Sequence, residues 1–181
     1  MRVRSYTSEA IVIKRKNYGE ADRIVTLYTS NFGKLSVLAK GVRKPKSRKR
    51  GGLEVFSHIK FSASRSKFLD IITEVEIMNL YPKVRSDIKR AALGYYLIET
   101  LDKLTQEEEK NFVLFKTIED YLSRLEEEQL LRRLKEEYIF KLLTELGFWP
   151  AEEMIYDHDK VLEEIIEREI GSRRVGKKLF T

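Results

Sequence analysis

The densest chemistry in the sequence is cationic. From Lys40 to Arg50, in KGVRKPKSRKR, seven of eleven residues are Lys or Arg, and no acidic residue follows until Glu54. Such a run neutralises phosphates and releases their counterions without reading bases. Pro45 and Gly51-Gly52 punctuate it, so it is expected to be a mobile loop between two strands. A plain solvated loop would have the same composition; the barrel strands expected on either side favour a binding role. The catalytic constellations are weaker. Gly171-Ser172-Arg173-Arg174-Val175-Gly176-Lys177-Lys178 falls one residue short of a phosphate-binding P-loop, with Lys where Ser or Thr must hold magnesium. The two histidines are His58, in an expected strand, and His158, between Asp157 and Asp159 in what reads as a solvated acidic turn. Glu107-Glu108-Glu109 and Glu126-Glu127-Glu128 read as helix starts and solvated faces, not paired catalytic acids. No catalytic residue, metal site or cofactor is expected.

The formal net charge of +6 hides a division. Residues 1–80 hold 17 Lys and Arg against 7 Asp and Glu, a surplus of +10, whereas residues 81–181 hold 18 against 22, a balance of −4. A basic segment this distinct attracts polyanions, so nucleic acid leads the partners expected. The absence of cysteine rules out disulfides and thiolate zinc, and points to a reducing compartment, the cytoplasm. No apolar run approaches membrane-spanning length, and the first residues carry no secretory signal, so no membrane association is expected.

These cations need elements to position them. Before residue 80 the pattern is of short β-type runs: Glu9 to Lys14, Asp22 to Thr29, Lys34 to Val42, Val55 to Ala63 and Leu69 to Ile77. Five strands in this length suit an OB-type barrel, with an SH3-like barrel as the competitor. Phe32, Phe56, Phe61 and Tyr18 could stack on bases, although each is the kind of residue a small barrel needs inside. After Tyr81-Pro82 the period becomes helical. Ser86 is expected to cap a first helix through Leu104, and Thr105-Gln106-Glu107-Glu108 to form a capping box for a second. Leu131 to Leu146 is expected to form a third, stopped by Gly147, and Lys160 to Glu169 a weaker fourth. The expected class is α+β, with an OB-type barrel over residues 1–80 and a helical domain over 81–181.

The run from Glu9 to Ser57 closely resembles the N-terminal domain of the bacterial RecO recombination-mediator family. It carries Tyr18-Gly19-Glu20-Ala21-Asp22-Arg23, the turn Phe32-Gly33-Lys34, Ala39-Lys40-Gly41 and a basic loop ending Gly51-Gly52-Leu53-Glu54. Leu142 to Pro150, LLTELGFWP, is similar to the helical part of that family. The resemblance implies a non-catalytic role in recombinational DNA repair. It implies binding of single- and double-stranded DNA, strand annealing, engagement of the acidic tail of the single-strand-binding protein, and work with RecR to load RecA.

Carried onto this sequence, the DNA-binding positions are Arg15, Lys16, Arg23, Lys40, Arg43, Lys44, Lys46, Arg48, Lys49 and Arg50. Arg132, Arg133 and Lys135 are the candidates for the acidic tail. Many family members place a cysteine zinc site after the Leu-Gly-Phe-x-Pro stretch; Ala151 to Asp159 offers no thiolate, so no zinc is expected there. Family members are also commonly longer at the C-terminus, so a surface built from late helices is not assumed here. An RNA-binding OB protein of translation or ribosome assembly is the alternative, and an adaptor for acidic protein segments a third reading.

Overall fold

The alternation before residue 80 builds five strands: β1 (Ser5–Tyr18), β2 (Asp22–Thr29), β3 (Gly33–Ala39), β4 (His58–Ser64) and β5 (Ile71–Asn79). They are seen in a computed structural model that describes residues 5–167. The strands close into a barrel in the order β1-β2-β3-β5-β4. β3 and β5 run parallel, and the other pairs are antiparallel. This is an OB-type barrel followed by helices, as the sequence predicts.

β1 runs well beyond the expected Glu9 to Lys14 because one strand serves two neighbours. Ser5 to Ile11 pair with β4, and Ala10 to Tyr18 pair with β2. The register slips between Val12 and Lys14, a bulge that bends the strand from one partner to the other. Alternate residues turn inward, and Val12, Val25, Leu27, Val37, Ile59 and Phe61 fill the barrel. Val42 and Leu53, at the two ends of the basic segment, are buried in the same core.

The helical part is α1 (Pro82–Ser86), α2 (Ile88–Leu104), α3 (Phe112–Glu127) and α4 (Leu131–Glu145), with a further helix over 158–167 where the weaker fourth is expected. Two expected caps are corrected. Ser86 ends α1, and Asp87 caps α2, its carboxylate accepting from the Lys89 and Arg90 amides at 2.9 Å each. A single carboxylate oxygen that accepts from two orphan amides makes Asp87 the better cap. Thr105 opens no helix: it follows the last turn of α2, its hydroxyl donating to the Leu101 carbonyl at 2.6 Å. The Glu108 amide instead donates to the Lys34 carbonyl of β3 at 2.9 Å, so this stretch follows a strand edge. α3 begins after Asn111, whose side chain accepts from the Leu114 amide at 3.1 Å. α4 ends as expected: Gly147 takes φ +74° and the Phe148 amide reaches the Leu143 carbonyl at 2.8 Å.

Lys34 fastens β3 to the end of α2. It is 7% exposed, and its ammonium donates to the Asp102 carboxylate at 3.0 Å, the Asp102 carbonyl at 2.7 Å and the Thr105 carbonyl at 2.9 Å. Gly33 beside it takes φ +69°, and a Cβ there would collide with the Glu109 carbonyl. The turn is thus closed to any other residue. Packing divides the chain into two compact units that part between Glu127 and Glu128, with α1, α2 and α3 built onto the barrel. α4 and the helix over 158–167 belong to the second unit. Among the described residues, no helix is long and apolar enough to cross a membrane.

Candidate nucleic-acid interface

The basic segment is pinned, not free. At its start the Gly41 amide donates to the Asp22 carboxylate at 2.7 Å, and the Arg43 amide to the Ala21 carbonyl at 2.9 Å. Tight turns follow, with the Lys44 amide on the Gly41 carbonyl and the Ser47 amide on the Lys44 carbonyl. At its far end the Lys49 ammonium donates to the Ile72 carbonyl of β5 at 3.1 Å. Gly52 lies so close to Val75 that a Cβ would come within 2.7 Å of that side chain. A mobile loop is expected from composition; buried Val42 and Leu53 explain the difference, since two apolar anchors fix both ends in the core.

This path sorts the cations into two groups. Lys40, Arg43 and Lys44 are exposed beside the β1–β2 hairpin, and the Arg43 guanidinium donates to the Gly19 carbonyl at 3.2 Å. Lys16 and Tyr18 stand exposed on that same hairpin. Arg48 and Lys49 lie farther along, lining a cleft of about 730 Å³ over β4 and β5 with Lys60, Ser62, Thr73, Glu74 and Glu76. Lys46 and Arg50 are exposed between and after them. Among the described residues, none of these seven loop cations has a carboxylate partner. An unpaired cation keeps its charge available to an incoming phosphate.

Arg15 and Arg23 are placed differently. Glu54 receives both, Arg15 Nε at 2.9 Å on one carboxylate oxygen and Arg23 Nη1 at 2.9 Å on the other. Arg23 is 8% exposed and also donates to the Asn17 side chain at 3.3 Å. The sequence reading groups Arg23 with the phosphate-contacting cations; the structure buries it beside Glu54, which also pairs with the more exposed Arg15. Arg85, from α1, adds a third guanidinium nearby, bonded to the Ser57 hydroxyl at 2.9 Å. Burial lowers its pKa from the ordinary arginine value, and the Glu54 charge opposes that shift.

Of the four candidate stacking aromatics, Phe61 and Phe56 are buried, and Phe32 is half-buried against the edge of Tyr6. Tyr18 keeps a face to solvent. The sequence reading missed Phe68, which is 88% exposed in the β4–β5 hairpin, with the Lys67 ammonium 5.7 Å from its ring centroid. The Leu38 amide donates to the Asp70 carbonyl at 2.8 Å, which sets this hairpin beside the end of β3, where the basic segment departs. The signal was available in Arg65-Ser66-Lys67-Phe68, an aromatic with cations and no apolar neighbour before it.

In the second unit, Arg132 and Arg133 pair with Glu136 and Glu137 one turn on, at 3.0 and 2.8 Å, and Lys135 pairs with Asp159 at 2.7 Å. The near P-loop at 171–178 lies outside the described residues.

A family model described as Recombination protein O N terminal matches residues 1–81, and one described as Recombination protein O C terminal matches residues 85–154. The chain belongs to the RecO family. It is 35% identical over 150 residues to the DNA repair protein RecO of Roseiflexus sp. (strain RS-1), covering 83% of this chain and 53% of that protein. It is 34% identical over 148 residues to the DNA repair protein RecO of Pelotomaculum thermopropionicum, covering 81% and 57% respectively. The RecO of Listeria monocytogenes serotype 4a is 32% identical over 143 residues, 79% of this chain and 56% of that protein. The chain thus spans a little over half the length of these RecO relatives. The match crosses the barrel, the basic segment and the first helices of the RecO pattern.

Proposed function

We propose that this RecO-family chain binds the backbone of single- and double-stranded DNA along its basic segment and anneals complementary strands. In this reading it is a non-catalytic cytoplasmic mediator of recombinational repair. The observation that carries it is the set of loop cations without carboxylate partners, held in place at both ends on a barrel. A fixed cationic surface screens the repulsion between two polyanions and contacts no base edge, which is what annealing of arbitrary sequences requires. Arg15 and Lys16 extend the surface onto β1, and Arg23 positions Arg15. Work with RecR and with the acidic tail of the single-strand-binding protein, leading to RecA loading, rests on family membership. The paired Arg132, Arg133 and Lys135 suit that tail, since exposed ion pairs exchange partners at little cost.

If about five of these cations neutralise phosphates, log affinity for single-stranded DNA falls against log salt with a slope of about −3 to −4. Fluorescence anisotropy across a salt series measures it, and a slope near zero removes the electrostatic interface. Structured RNA run in parallel, bound more tightly than single-stranded DNA at equal salt, would favour a role in translation or ribosome assembly.

Phe68→Ala tests stacking apart from charge. A base on an exposed aromatic contributes about 1–3 kcal/mol, so affinity should fall about fivefold to a hundredfold while the salt slope stays where it was. An unchanged affinity would leave Phe68 as an idle surface residue.

A further inference from the structure

Glu9 on β1, His58 on β4 and Glu119 on α3 are distant in sequence, and closure of the barrel together with docking of α3 brings them to one point. The His58 side chain is 7% exposed, with Nε2 3.3 Å from one Glu9 oxygen and Nδ1 3.6 Å from Glu119 Oε1. One ligand atom from each residue lies within 4.8 Å of the other two. The His58 Nε2 contact to Glu9 is within hydrogen-bond reach, and it is also the spacing of two ligands on one ion. Donor atoms bonded at about 2.0–2.1 Å around a tetrahedral ion stand about 3.3–3.4 Å apart, which matches the His58 to Glu9 separation.

A neighbouring lysine orients Glu119. Lys116 Nζ sits 2.6 Å from Glu119 Oε2 and leaves Oε1 facing the imidazole.

We propose that Glu9, His58 and Glu119 form a binding site for a divalent transition ion of the zinc class, which ties α3 to the barrel. One imidazole nitrogen and two carboxylate oxygens are a donor set such ions accept, with a fourth position left on the side of Glu9, whose side chain is 41% exposed. His58 Nε2 takes the ion beside Glu9, and the Glu119 carboxylate completes the set by rotating toward it. The site is separate from the basic segment and does not depend on the DNA-binding reading.

The test uses the full chain, stripped with EDTA and dialysed, then titrated with zinc chloride by calorimetry and melted with and without zinc. One equivalent should bind, and the melting point should rise by about 5–10 °C when zinc is at a hundredfold excess over its Kd. Cobalt chloride in place of zinc should give the visible absorption of a low-symmetry four-coordinate site. His58→Asn and Glu119→Gln should each abolish all three signals, and His158→Asn should leave them intact. Should His58→Asn fail to fold, Glu119→Gln decides, because that side chain is partly exposed, at 24%. Absence of zinc heat and of any melting shift in the wild type overturns the proposal, as does stoichiometric binding that survives Glu119→Gln.

Discussion

Replacing Arg43, Lys44, Lys46, Arg48, Lys49 and Arg50 together with Ser or Gln should lower affinity for single-stranded DNA about a hundredfold to a thousandfold near 0.1 M salt and flatten the salt slope. Strand annealing should fall with it. Each lost contact removes one favourable release of counterions, and Arg15, Lys16 and Lys40 remain as a residual surface. Stability should change little, because exposed like charges contribute little to folding. Lys49 is the exception, since its bond to the Ile72 carbonyl costs about 1 kcal/mol to lose. A five-site variant that keeps Lys49 therefore separates charge from anchoring. A folded variant with normal annealing would move the interface to Arg15, Lys16 or the helices. An unfolded one would show that the charges hold the segment to the barrel.

The barrel was legible because its strands alternate so regularly: Asp22 to Thr29 is found with the bounds the sequence predicts. β1 was shortened at its far end because its last four residues, Arg15 to Tyr18, are all exposed where the strand extends past the core. Helix starts were the poorest guide. Thr105 and Glu108 satisfy a capping pattern, yet the Glu108 amide finds the Lys34 carbonyl first, a tertiary partner no local pattern reveals. The basic segment was visible as a run of charge, but its anchoring depends on where Val42 and Leu53 go. Arg23 shows the limit most plainly. A cation on a barrel strand looks like any other until its cross-strand partner Asn17 and the distant Glu54 are seen to enclose it. Glu9, His58 and Glu119 could not be associated at all without the fold.

Lys34→Met should be the most destabilising single change among the cations, by about 3–5 kcal/mol, lowering the melting point by about 6–15 °C. The formal charge count treats Lys34 like the loop cations, but its surroundings are the opposite of theirs. It is buried, and three acceptors surround it: one carboxylate and two main-chain carbonyls at the end of α2. Removing the ammonium leaves those carbonyls without a donor and an Asp102 carboxylate that is only 28% exposed without its nearest cation. Lys14 is the internal control. It approaches the same carboxylate at 3.8 Å, but its side chain is 69% exposed, so Lys14→Gln should cost no more than about 0.5 kcal/mol. Adding Asp102→Asn to Lys34→Met should recover part of the loss by removing the stranded charge, and the cycle of single and double variants measures how much belongs to the pair. Measured below its melting transition, Lys34→Met should keep the wild-type salt slope for DNA, because this lysine faces the protein and not the solvent. A loss from Lys34→Met no larger than that from Lys14→Gln would mean that β3 is joined to α2 by apolar packing alone. A flattened salt slope in a folded Lys34→Met chain would return this lysine to the DNA interface.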